Sequence, residues 1–265
     1  MLEHKKIQNL SDYFVELNSR REKGVYFYRI NGYSEEVGEF IKKYYDTARR
    51  TGVVIEGKIP NPDEGNLAYY NEIMGMDFQM SMDFIHVSLR KWLPRMNEFQ
   101  RQNVAASIYD SLDSLRKAGK TENMLRNAYI KFMCWLYYKF ERIVNQLGEN
   151  HIPKILYEGQ ISNYELMLIS ILSNAGCDVV LLQYAGDQGY LKTDPGSVLS
   201  DSLQMEGLQP FPQGYCVKKV RDEIQNELNN ERLYGIRPSL TNCTNAWIKG
   251  NGLDDIRESI LVKGK

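Results

Sequence analysis

Apolar positions change their period several times along the chain, and each change marks an element. Ile7, Leu10, Phe14 and Leu17 recur at helical steps, which predicts a short amphipathic helix over 7–20, broken by Gly24. Residues 25–30 (Val-Tyr-Phe-Tyr-Arg-Ile) are β-branched and aromatic and run into Asn31-Gly32, the pattern of a strand closed by a turn. Ser34 is placed to cap the next helix, with Glu35 and Glu36 at its positive end, Arg49 and Arg50 at its negative end, and Gly52 as its stop. Residues 53–66 contain Gly57, Pro60, Pro62 and Gly65 and predict a loop, the first candidate functional loop of the chain, with a plain connector the favoured reading because turn chemistry alone accounts for it. Asn66 to Trp92 is irregular and rich in methionine (Met74, Met76, Met80, Met82), flexible side chains suited to filling uneven gaps between packed neighbours.

Two long helices follow. Phe99, Val104, Ala105, Ile108, Leu112 and Leu115 mark the first, stopped by Gly119; the second starts at a Thr121 cap and runs to Leu147-Gly148. They are expected to form an antiparallel pair. The second has so wide an apolar stripe, from Leu125 through Trp135 to Val144, that it should lie between layers, with Arg126, Lys131, Lys139 and Arg142 as its solvated face. Lys154-Ile-Leu-Tyr-Glu then reads as a strand ending at Gly159. Ser162 and Glu165 form a capping box for a helix that is apolar nearly all round, Gly176 ends it, and Asp178-Val-Val-Leu-Leu-Gln-Tyr reads as a strand buried on both faces. Residues 193–215, with three prolines and three glycines, are a lid, a hinge or a connection. A polar helix over 217–233 and a strand-turn-helix signal over 245–258 close the chain. The pattern predicts an α/β protein with a helix-rich N-terminal half (1–150) followed by a Rossmann-like parallel strand-helix-strand region (151–265).

This architecture supplies a binding hypothesis. Ligands of open parallel sheets sit beyond the carboxyl ends of the strands, where loops and helix amino termini converge. Here that edge comprises 157–162 and 185–190. Gly159 admits close backbone approach, Ser162 opens a helix, and Glu158 and Asp187 can accept hydrogen bonds from sugar hydroxyls or hold a metal. The capping box already explains Ser162. Neither a Gly-x-Gly-x-x-Gly nor a Walker lysine motif is present, which disfavours the usual dinucleotide and P-loop sites. The expected ligand-binding set is therefore Glu158, Gly159, Ser162 and Asp187, with catalytic residues and cofactor unknown.

Composition narrows the partners. The chain is 43% hydrophobic and 25% charged with a formal net charge of −1, which gives no overall attraction to nucleic acid or anionic membrane. Cys134, Cys177, Cys216 and Cys243 form no Cys-x-x-Cys pair and fit reduced thiols. No run reaches the roughly 18 apolar residues of a membrane span, and the amino terminus lacks an apolar signal core; a cytoplasmic protein is expected. Residues 151–215 set seven carboxylates against two lysines, but the acids are spread without ligand-like spacing, and no metal is assigned.

Tyr26-Phe-Tyr-Arg-Ile30, Leu125-Arg-Asn-Ala-Tyr-Ile-Lys131 with Cys134-Trp135, and Pro153-Lys-Ile-Leu-Tyr-Glu-Gly159 with Glu165 and Gly176-Cys-Asp-Val-Val180 resemble the bacterial YceG-like family. That resemblance implies a component of a biosynthetic module linked by gene neighbourhood to tellurite-resistance and stress-response clusters, and it supplies no catalytic residues. Members run longer, so it also implies a shortened form. Two functions follow as expectations: a component binding or processing a nucleotide- or sugar-like small molecule at the sheet edge, or a non-catalytic scaffold docking protein partners of a stress-response operon.

Overall fold

The computed structural model describes residues 2–61, 67–148 and 152–235. The chain divides into two compact units, Met1–Val217 and Lys218–Lys265. The first is built on a parallel five-stranded sheet: β1 (Phe27–Ile30), β2 (Val53–Glu56), β3 (Lys154–Glu158), β4 (Asp178–Leu182) and the short β5 (Asp201–Ser202), in the order β2-β3-β4-β1-β5. The α/β class with a Rossmann-like parallel sheet is as the sequence predicts. The sheet draws strands from both sides of residue 150, the division expected from the sequence.

β1 and β4 occupy the middle and are buried along their length. Alternation then assigns the side chains to two faces. Phe27, Ile155, Tyr157, Val179 and Leu181 point into one core, shared with the helices inserted between β2 and β3 and with α7 (Asn163–Ala175). Tyr28 and Tyr26 face the other way, where Tyr13 meets them edge-on and packs against Phe40 and Tyr44 of α1 (Glu35–Thr51). The Tyr13 hydroxyl donates to the Val179 carbonyl at 3.0 Å and that of Tyr44 to the Asp178 carbonyl at 3.0 Å, so both phenols are satisfied inside this layer.

The predicted helix over 7–20 is instead two 3₁₀ turns, Leu10–Phe14 and Leu17–Ser19. Asn9 and Asp12 explain the difference: their side chains bond backbone amides locally in a capping box and divert the chain before an α-helix can propagate. α1 forms as predicted, with Ser34 Oγ accepting from the Val37 amide. The predicted loop from 53 begins with β2. Its Val-Val-Ile run is a good strand, and the prolines that argued against pairing lie beyond it.

The inserted helices are α2 (Ala68–Met74), α3 (Met82–Trp92), α4 (Glu98–Lys117) and α5 (Glu122–Trp135); α5 continues through a π-helical turn at Leu136–Phe140 into α6 (Glu141–Val144). α5 is buried as its wide stripe predicts. Arg126 of α5 donates to the Met74 carbonyl, tying α5 to α2, and Arg142 of α6 donates to the Gly52 carbonyl, tying the insert to the start of β2.

A buried ion cluster fixes the amino-terminal end of the sheet. Asp178, with no side-chain exposure, accepts from both Arg20 terminal nitrogens, from Lys154 Nζ at 2.6 Å and from the Tyr26 amide at 2.9 Å. After β4 come α8 (Gln188–Leu191), β5 and α9 (Val217–Gly235), whose extent agrees with the predicted polar helix. The signal over 245–258 lies outside the described residues, as does Cys243.

Candidate functional site

The strand order locates a crevice that local sequence cannot. From β1 the chain leaves through α1 and passes β4 and β3 to reach β2; from β4 it leaves through α8 and passes β1 to reach β5. The two middle strands are neighbours whose connections depart in opposite directions, the condition for a cleft beyond their carboxyl ends. A cleft of about 600 Å³ lies there. Asn31 and Gly32 line it from the end of β1, Tyr184 to Gly186 from the end of β4, and the segment after β5 closes it with Leu203, Gln204 and Gln209.

Each wall is fixed. The Leu203 amide donates to the Arg29 carbonyl at 2.9 Å, and Tyr33 and Gln209 exchange backbone hydrogen bonds of 2.6 and 2.9 Å, so the segment predicted as lid, hinge or connection is tied to β1 and to the loop after it. Asn31 donates to Ser202 Oγ at 3.1 Å. A Cβ on Gly32 would stand 3.0 Å from Leu208 Cβ, which accounts for glycine where the wall closes on the strand end. Tyr184 packs edge-on against Phe211 at 4.9 Å and Tyr215 at 5.8 Å, and Tyr33 meets the same two rings, which makes an aromatic support behind the cleft.

The four residues expected to bind ligand lie at this edge but outside the cleft lining, and their polar groups are paired within the protein. Glu158 Oε2 accepts from the Tyr184 hydroxyl and from the Val217 amide, each at 2.5 Å. Burial, reinforced by this hydrogen bond, holds the Tyr184 phenol far above its ordinary range, so it stays a proton donor and Glu158 positions its ring. Gly159 has φ +108°, and a Cβ there would lie 3.2 Å from Gly57 Cα. The close backbone approach it permits is that of the β2 loop. Ser162 caps α7 reciprocally with Glu165, whose other oxygen accepts from the Ile59 amide at 2.8 Å. Asp187 grips Arg29 through two bonds of 3.0 Å.

Arg29 and Tyr184 are the residues that the sequence reading passed over. Arg29 is buried in the middle of the sheet, also donates to the carbonyl and hydroxyl oxygens of Ser200, and stacks 4.4 Å from the Tyr190 ring centroid. Ser200 donates in turn to the Tyr190 hydroxyl, and that hydroxyl to Asp194. This network sets the path of 187–200 and hence the position of the wall that follows. Its signal was present as a guanidinium inside an aromatic strand, a buried charge that requires a partner.

The electrostatics of the edge are specific. Among the described residues, the cleft lining contains no carboxylate, ammonium, guanidinium or imidazole. The amino terminus of α1, which follows the loop after β1, is capped by Ser34 and carries Glu35 and Glu36 in its first turn, which repel an anion. That of α7 is closed by the Ser162–Glu165 box. Among the described residues no three His, Cys, Asp or Glu side chains converge as a metal site, and no helix is long and apolar enough to cross a membrane.

No curated protein and no solved structure matches the chain. The family model described as the YceG domain matches residues 5–227, which cover nearly all of the first compact unit, and the chain therefore belongs to the YceG family.

Proposed function

We propose that the chain is the small-molecule-binding component of a cytoplasmic, stress-associated bacterial biosynthetic module, and that the crevice between β1 and β4 takes the neutral, hydroxyl-rich part of a sugar- or nucleoside-like ligand. The observation that carries this reading is a cleft at the topological switch point lined by Asn31, Gln204, Gln209 and Tyr184, with no formally charged side chain among the described residues that line it. Amides pair with hydroxyl and carbonyl groups, and an aromatic ring suits the face of a sugar or base. The acidic first turn of α1 and the closed cap of α7 argue against a phosphate group at those two helix ends. Glu158, Gly159, Ser162 and Asp187 contribute in this reading by holding the crevice walls. The module, its tellurite-resistance and stress-response setting and the compartment rest on the family resemblance.

A thermal-shift panel tests the proposal. Neutral monosaccharides, nucleosides and their phosphorylated counterparts are compared with and without divalent ions; a ligand at a hundredfold excess over its Kd stabilises by about 2.7 kcal/mol. Stabilisation by a neutral member is expected. If none stabilises, or if only phosphorylated members with a divalent ion do, the proposal fails. The second reading, an interaction protein of the same assembly, is favoured by one feature, the position of β2 at the edge of the sheet, where among the described residues only β3 pairs with it.

A further inference from the structure

A second cleft, of about 470 Å³, lies beside β5 on the face of the sheet that carries α1. It shares Leu203, Gln204 and Met205 with the β1–β4 crevice but has its own charged residues, Lys6, Glu36 and Asp201, and an apolar part supplied by Ile7 and Leu10. β1 and β5 bring its two central residues together. Tyr28 and Asp201 are register partners, one strand spacing of about 4.8 Å apart, so their side chains leave the sheet on the same face.

Each of the pair has an unmet demand. Tyr28 is 6% exposed; its hydroxyl accepts from the Ile7 amide at 3.2 Å, and none of the described residues accepts the hydroxyl's own proton. Burial raises this phenol above its ordinary value, so it stays a donor at neutral pH. The half-buried Asp201 carboxylate has no hydrogen-bond or ion-pair partner among the described residues. His4 is within its electrostatic reach, but burial holds that imidazole below its ordinary value and hence neutral at pH 7, so it supplies no counter-charge. Lys6 and Glu36 are exposed at the rim, their side chains likewise unpaired among the described residues. A carboxylate partly out of water is best served by a cation that brings its own N–H donors, and a buried O–H by an acceptor. One small molecule meets both demands when it carries an ammonium and a carboxylate, and Glu36 and Lys6 then complement the same two charges.

We infer that the cleft beside β5 binds a zwitterionic amino acid with an apolar side chain, its ammonium held by Asp201 and its carboxylate by the Tyr28 hydroxyl. The inference does not rest on the ligand proposed for the β1–β4 crevice, whose lining includes neither Tyr28 nor Asp201.

Isothermal titration of the full chain with leucine, methionine and phenylalanine tests it, each amino acid being compared with its N-acetyl derivative and its amide. Saturable binding of at least one free amino acid is expected. N-acetylation, which removes the ammonium, and amidation, which removes the carboxylate charge, should each weaken it about tenfold or more. Asp201→Asn should do the same with an unchanged melting temperature, since this carboxylate bonds nothing in the free fold, and Tyr28→Phe should weaken binding likewise. Ala185→Trp, placed in the lining of the β1–β4 crevice and outside that of this cleft, should leave amino-acid binding intact. Binding of none of the three, undiminished binding of the N-acetyl derivatives, or undiminished binding to Asp201→Asn would overturn the inference. So would loss of binding in Ala185→Trp, because the amino acid would then occupy the β1–β4 crevice.

Discussion

Asp187→Asn separates a structural role for this carboxylate from a ligand-binding one. In the fold Asp187 holds the buried Arg29 guanidinium through two 3.0 Å bonds, and the side-chain exposures are 20% for the acid and 3% for the base. Asparagine retains one acceptor for Nε but turns an N–H₂ group toward Nη2, leaving a buried positive charge without its counter-charge. Breaking one partner out of a buried pair costs about 3–5 kcal/mol. The partial exposure of Asp187 and the surviving acceptor place this substitution at the low end, about 3 kcal/mol. At about 2–4 °C per kcal/mol for a unit of this size, the melting midpoint should fall by about 6–12 °C. Urea unfolding followed by circular dichroism supplies the measurement, with the loss appearing in the midpoint at constant slope. A double-mutant cycle with Arg29→Met should return a coupling of about 2 kcal/mol or more. A loss below about 1 kcal/mol, or additive single effects, would refute the assignment of Asp187 to Arg29.

Further outcomes follow from the same geometry. Ser162→Ala should cost about 1 kcal/mol of stability, the value of a helix cap, and leave ligand affinity unchanged; chemical denaturation and a binding titration read the two separately. Buried phenols should limit alkaline stability: burial pushes Tyr129 up to about 12 and Tyr157, Tyr184 and Tyr190 further up. The folded chain keeps protons that the unfolded chain releases around pH 10, so stability is unaffected below that pH and falls above it by about 1.4 kcal/mol per pH unit for each such phenol. Phenolate absorbance should accordingly rise together with the loss of helical dichroism. Burial also pushes the Cys134 thiol up to about 11, and it lifts Cys177 above its ordinary range, whereas Cys216 is only half-buried. In a Cys243→Ser background one thiol, that of Cys216, should react quickly with a disulfide reagent at neutral pH, and the other two only on unfolding.

What could be read from the sequence was what is local. The Ser162–Glu165 box, the Ser34 cap, the stop at Gly176 and the apolar run of β4 each declare themselves within a few residues, so β3, α7, β4 and α1 were legible with their ends. β2 was hidden because the prolines after it outweighed three β-branched or aliphatic residues. Strand order was invisible for a different reason. Nothing in Phe27–Ile30 states that it will insert between β4 and β5, since pairing across some 150 residues of chain is decided by the whole packed sheet. The crevice, set by strand order, lies between β1 and β4, and Glu158, Gly159, Ser162 and Asp187 lie outside its lining. Glu158 and Asp187 looked like free acids because their partners, Tyr184 with the Val217 amide and Arg29, come from distant positions brought together only by the fold.

The ligand binding proposed for the β1–β4 crevice is tested most directly by Ala185→Trp. Ala185 is exposed and lines the cleft, so an indole there fills the space without entering the core. Isothermal titration of a neutral sugar or nucleoside identified by thermal shift should show binding to the unaltered chain and none to Ala185→Trp, with both proteins melting at the same temperature. Undiminished affinity in the variant would contradict the placement of the site.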